Sequence, residues 1–78
     1  MKIIDISQEI RPNMLVYPGD PVFHSRSVCS FKSGNHCEVS ELCIGSHCGT
    51  HVDAPLHMVP GGATIDALSL DCFLGPCR

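Results

Sequence analysis

The chain has no tryptophan, one tyrosine and three phenylalanines, and its five lysines and arginines are scattered from Lys2 to Arg78. Nucleic-acid binding draws on a basic stripe and, for single strands, on stacking aromatics. Neither is present, so no nucleic-acid partner is expected. No apolar run approaches the ~20 residues that a bilayer crossing needs, so no membrane partner is expected either. The opening Met1-Lys2-Ile3-Ile4-Asp5-Ile6 meets charge too soon for a secretory signal, and the expected location is cytoplasmic. There is no Cys-x-x-Cys pair, which removes zinc ribbons and thioredoxin-like motifs. Pro60-Gly61-Gly62 lacks the Lys-Ser/Thr pair of a phosphate loop and reads as a turn.

What is present fits a folded piece of modest size. The sequence is 44% hydrophobic and 17% charged with net charge −3, too apolar for compositional disorder. Seventy-eight residues allow one small domain with a marginal core. Six cysteines stand at positions 29, 37, 43, 48, 72 and 77. In a secreted chain this density would suggest a disulfide scaffold. The irregular spacing and the lack of a leader favour small, reduced core residues instead.

Chemistry concentrates in His47-Cys48-Gly49-Thr50-His51-Val52-Asp53-Ala54-Pro55-Leu56-His57. Imidazole nitrogen and carboxylate oxygen are ligands that zinc, manganese and iron(II) accept. Gly49 and Pro55 argue against one helix through the cluster. In an extended stretch His51 and Asp53 point to the same side and can share an ion, while Cys48 points away. Asp53 is a candidate N-cap for a short turn through Ala54, Pro55 and Leu56, which would swing His57 back toward it. His47 would arrive from the end of the preceding strand. Gly49 would let backbone pass close to an ion, and Thr50 offers a hydroxyl to the ligands.

Around the cluster the pattern is mostly extended. Lys2 to Ser7 reads as a short strand with Ile4 and Ile6 on one face. Met14-Leu15-Val16 leads Tyr17 into Pro18-Gly19-Asp20, where Pro followed by Gly suits a type II turn. Val22 to Phe31 and Cys37 to Ser46 read as the arms of a hairpin around Lys32-Ser33-Gly34-Asn35, with Phe23, Cys29 and Phe31 on one face. His24 and His36 are expected at the surface, and Glu38 and Glu41 on a solvated strand face. Asp66 is a candidate cap for a turn of helix within Thr64 to Leu70.

At this point a resemblance emerges. His-x-Gly-Thr-His-x-Asp-x-Pro-x-His resembles the signature of the cyclase family of metal-dependent hydrolases. Tyr17-Pro18-Gly19-Asp20 resembles its aromatic-Pro-Gly-Asp turn. Leu70-Asp71-Cys72-Phe73-Leu74-Gly75-Pro76-Cys77-Arg78 resembles the approach to its next strand, with Gly-Pro-Cys-Arg close to the kynurenine formamidase branch. The three stretches occur in family order. The resemblance implies an α+β, mostly β fold, the N-terminal part of a swivelling β/β/α architecture. It implies that residues 1–78 form a single incomplete domain, about the N-terminal third.

The implied chemistry is hydrolysis of an aryl formamide or cyclic amide, most like N-formylkynurenine to kynurenine and formate. His47, His51 and Asp53 would hold a divalent metal, zinc before manganese. An ion so held activates water, with His57 as proton shuttle and Tyr17 lining the substrate pocket. The family's second ion takes a further His and Glu that this chain lacks. So small a piece leaves apolar strand surface to cover, and a homo-oligomer is expected. Two other readings stay open: an inactive metal-binding remnant or interaction module, and a disulfide-stapled module.

Overall fold

The computed structural model describes residues 1–76; Cys77 and Arg78, the last two of the Gly-Pro-Cys-Arg stretch, lie outside the described residues. The regular structure is one antiparallel hairpin, β1 (His24–Cys29) and β2 (Val39–Cys43), followed by short 3₁₀ turns at Pro55–His57, Ile65–Ala67 and Leu70–Phe73. This bears out the mostly-β expectation and the hairpin, with both arms shorter than the alternation suggested. Among the described residues there is no α-helix.

The hairpin register pairs His24 with Cys43 and Arg26 with Glu41, and slips by one residue between Ser27 and Cys29. Its connection is a 3₁₀ turn at Phe31–Ser33, capped by Ser30, whose side chain accepts the Ser33 N–H. Gly34 closes the turn in the left-handed region, where glycine carries no steric cost. Glu38 accepts the Phe31 N–H at 2.8 Å, and Glu41 pairs with Arg26 at 3.1 Å. Both carboxylates are exposed, as are His24 and His36.

Three expectations are corrected here. Residues 2–7 form no strand. They are exposed coil, with the Ser7 N–H and hydroxyl bonded back to Asp5. A strand is stable only against a partner, and among the described residues none lies beside this segment. The cysteines are not a core: Cys48 is buried and Cys29 half-buried, whereas Cys37, Cys43 and Cys72 are exposed. A two-stranded ribbon has no second layer to cover its faces. All five of these cysteines are free, so no disulfide staples the described residues. Finally, Asp66 lies in the first turn of Ile65–Ala67, whose cap position is Thr64. A hydrogen bond from the Thr64 side chain holds the Asp66 carboxyl below its ordinary pKa.

The buried side chains lie away from the strands. The buried apolar residues among those described are Met14 and Cys48, with the Cys48 thiol 3.4 Å from the Met14 sulfur. Cys48 therefore points away from its ligand-type neighbours, as the alternation predicts.

Candidate metal centre

The segment 45–57 is built by turns rather than by a ladder. Beyond the end of β2, the Cys48 N–H donates to the Gly45 carbonyl at 3.1 Å, so His47 sits inside a turn and not at a strand end. Gly49 takes φ +69°, and its carbonyl accepts the His51 Nδ1–H at 2.7 Å. A carbonyl can only accept, so Nδ1 carries the hydrogen, and the ring in its neutral form presents the Nε2 lone pair. This is the ring-fixing contact usual for metal-bound histidine.

Three ligand atoms then converge. His47 Nδ1 lies 3.2 Å from His51 Nε2 and 3.0 Å from Asp53 Oδ1, and His51 Nε2 lies 3.1 Å from Asp53 Oδ1. With His51 neutral, two of the three, the His51 nitrogen and the carboxylate oxygen, are acceptors facing each other. The single hydrogen that His47 Nδ1 can carry serves one of them at a time. A cation among the three satisfies all of them. Zinc ligands at about 2.0–2.1 Å in a tetrahedron stand roughly 3.3 Å apart, so the triangle matches one face of such a shell within a few tenths of an ångström. The residues present therefore fit a divalent ion, and the donor set suits zinc. His47 and His51 keep about a third of their side-chain surface exposed and Asp53 about half, which leaves the remaining coordination directions open.

Asp53 is not the predicted N-cap. The cap position of Pro55–His57 is Ala54, with no side-chain bond, because the Asp53 carboxylate is turned to the two imidazoles. The turn does bring His57 back to the cluster, but against His47 rather than Asp53. The His57 N–H bonds to the Ala54 carbonyl at 3.0 Å, and its ring centroid comes 3.9 Å from that of His47. Downstream residues brace this turn: the Leu56 N–H donates to the Ala63 carbonyl at 3.1 Å.

Tyr17 comes to the same place from the other side of the chain. Pro18 and Gly19 form the expected turn, with Gly19 at φ +93° and the Asp20 N–H on the Tyr17 carbonyl at 3.0 Å. Tyr17, Asp20, His47, His51, Asp53 and His57 line one cleft of about 410 Å³. All the site residues read from the sequence thus share one cavity. Asp20 is the addition: it lies in the turn motif, but spacing alone carried no sign that its side chain would face the cleft. A second, apolar cleft of about 360 Å³ adjoins His47 and His57 and is walled by Val52, Leu56 and Ile65. Thr50, expected to support the ligands directly, instead accepts the Gln8 N–H on its hydroxyl at 2.8 Å.

Known proteins resemble the chain in sequence. Residues 4–78 match the family Cyclase, described as "Putative cyclase". The kynurenine formamidase of Maricaulis maris (strain MCS10) is 40% identical over 77 residues, covering 99% of this chain and 37% of the relative. That of Paracidovorax citrulli (strain AAC00-1) is 42% identical over 74 residues, covering 95% of this chain and 34% of the relative. The chain therefore spans roughly a third of the length of these curated relatives. No solved structure matches it.

Proposed function

The chain belongs to the Cyclase family, and from that premise we propose that it carries the metal-binding part of a formamidase-type hydrolase. The substrate is an aryl formamide or cyclic amide, with N-formylkynurenine, cleaved to kynurenine and formate, the first candidate. One observation supports this most strongly: His47 Nδ1, His51 Nε2 and Asp53 Oδ1 lie 3.0–3.2 Å apart in a cleft shared with His57 and Tyr17.

In this reading His47, His51 and Asp53 hold one divalent ion, zinc before manganese. When bound, the ion supplies Lewis-acid polarisation of the amide carbonyl and a more acidic water. The chain's own residues do the rest. His57, steadied by the 3₁₀ turn and by its contact with His47, takes the proton from the attacking water and returns it to the leaving nitrogen. Tyr17 offers a ring face at the mouth of the cleft for the aryl group. The architecture is the N-terminal part of a swivelling β/β/α fold, in a cytoplasmic protein that self-associates. The last point is supported by Ile3, Ile6, Leu15 and Leu74, all exposed by more than four-fifths. The same exposure favours a second reading, an interaction module that binds metal without turnover.

Hydrolysis of N-formylkynurenine with added zinc or manganese, assayed in a form extended to the length of the relatives, separates the two. The first reading expects turnover that needs metal and falls at least about 100-fold in His57→Ala, the scale of general acid–base catalysis. Stoichiometric metal with no turnover would support the interaction module.

A further inference from the structure

The residues that follow His47 each touch a different point of one upstream segment. Cys48 buries its thiol 3.4 Å from the sulfur of Met14. Gly49 faces Ile10, whose Cδ1 lies 2.5 Å from where a Cβ would stand. Thr50 accepts the backbone N–H of Gln8 at 2.8 Å, across 42 positions of sequence. The segment 8–14 belongs to no strand. It has one turn, with the Met14 N–H on the Arg11 carbonyl at 3.2 Å and Asn13 at φ 65°. Yet it supplies Met14, one of the buried apolar residues among those described.

We propose that residues 8–14 form a strap that positions the metal ligands, and that Thr50 is the positioning residue coupling strap and ion. This rests on the metal-site reading above. The path is short. Gly49 holds the His51 ring through its carbonyl, so fixing Cys48, Gly49 and Thr50 from outside fixes the direction in which His51 Nε2 points. A loop with no ladder of its own would otherwise lose conformational freedom at the moment of binding, and ordering it beforehand strengthens the ion's hold. The coupling must be reciprocal: an ion that binds better with the strap in place also holds the strap in place.

Cobalt(II) titration followed by visible absorption, together with hydrogen exchange at the Gln8 amide with and without zinc, tests this on the full chain. Thr50→Val keeps the shape and removes the acceptor; the expected loss of cobalt affinity is about tenfold, within the range for residues behind metal ligands. Thr50→Ser restores affinity to within about threefold, because its hydroxyl still accepts the Gln8 hydrogen. Zinc slows Gln8 exchange in the parent chain and in Thr50→Ser, and leaves it unchanged in Thr50→Val. Gln8→Pro, which removes the donor instead, lowers affinity as Thr50→Val does. Unchanged affinity in either Thr50→Val or Gln8→Pro, no rescue by serine, or a Gln8 amide indifferent to zinc would each overturn the strap. A parent chain that binds no cobalt would sink the metal site itself and the strap with it, whereas binding without any Gln8 response sinks the strap alone.

Discussion

The hairpin and the metal loop are neighbours in sequence and opposites in construction. From His24 to Cys43, order comes from a backbone ladder, and nearly every side chain on it is exposed. From Gly45 to Ala63, order comes from turn hydrogen bonds, an imidazole on a carbonyl and a buried sulfur pair, with no ladder at all. A ladder tolerates change in its side chains, because the pairing groups are main-chain. A turn-built site tolerates less, because a bonded imidazole and a buried sulfur pair, both side-chain contacts, help to order it. Substitutions should therefore have graded effects across the two regions.

The largest effect belongs to the ligands. His51→Ala or Asp53→Ala should cost at least about 100-fold in zinc affinity, more than the roughly 10–100-fold of residues behind a ligand. The β1–β2 cross-strand contacts seen by NMR should stay in place. Collapse of the hairpin in either variant would break the comparison. Next comes Gly62, where an added Cβ would stand 2.9 Å from three backbone atoms, in Pro55, Leu56 and Val59. Backbone cannot give way as a flexible side chain can. Gly62→Ala should open the turn that carries His57 at a cost of about 1–3 kcal/mol, visible as faster exchange of the Leu56 amide.

A smaller effect is expected at the Arg26–Glu41 pair, whose side chains are 65% and 60% exposed. Replacing either by alanine should cost less than about 1 kcal/mol and lose its effect in high salt. A larger, salt-resistant loss would show that side chains hold the ladder after all. The smallest lies at Asp66. Its carboxyl is held below the ordinary value by the Thr64 hydrogen bond, so the ionised form is the one stabilised. That contribution is complete above the unfolded-state pKa and is lost as pH falls through the lower, folded value. An acid titration of Asp66 by NMR should give a midpoint below that of Asp66 in Thr64→Val; equal midpoints would remove the hydroxyl from the account.

The same contrast explains what was legible. The convergence of His47, His51 and Asp53, the Tyr17 turn and the hairpin were readable because each depends on residues close in sequence: Gly19 two past Tyr17, Asp53 two past His51, Gly34 at the hairpin's bend. The strap was not readable. Gln8 with Thr50 and Met14 with Cys48 are separated by 42 and 34 positions, and no periodicity links them. Thr50 was singled out as a hydroxyl for the ligands, but its hydroxyl bonds to the Gln8 N–H, a partner outside any local pattern. The strand expected over residues 2–7 failed for the converse reason, since its Ile4 and Ile6 alternation is a local pattern without a partner to pair with. Asp53 was read both as ligand and as cap; its carboxylate is turned to the two imidazoles, and the cap position falls on Ala54.

The most direct test of the central claim is zinc stoichiometry on the purified chain after dialysis, combined with ¹⁵N NMR of the histidine rings. One ion per chain is expected, with ligand shifts at His47 Nδ1 and His51 Nε2 and a hydrogen retained on His51 Nδ1. A chain that retains no zinc, or zinc whose binding leaves these two nitrogens unshifted, would contradict it.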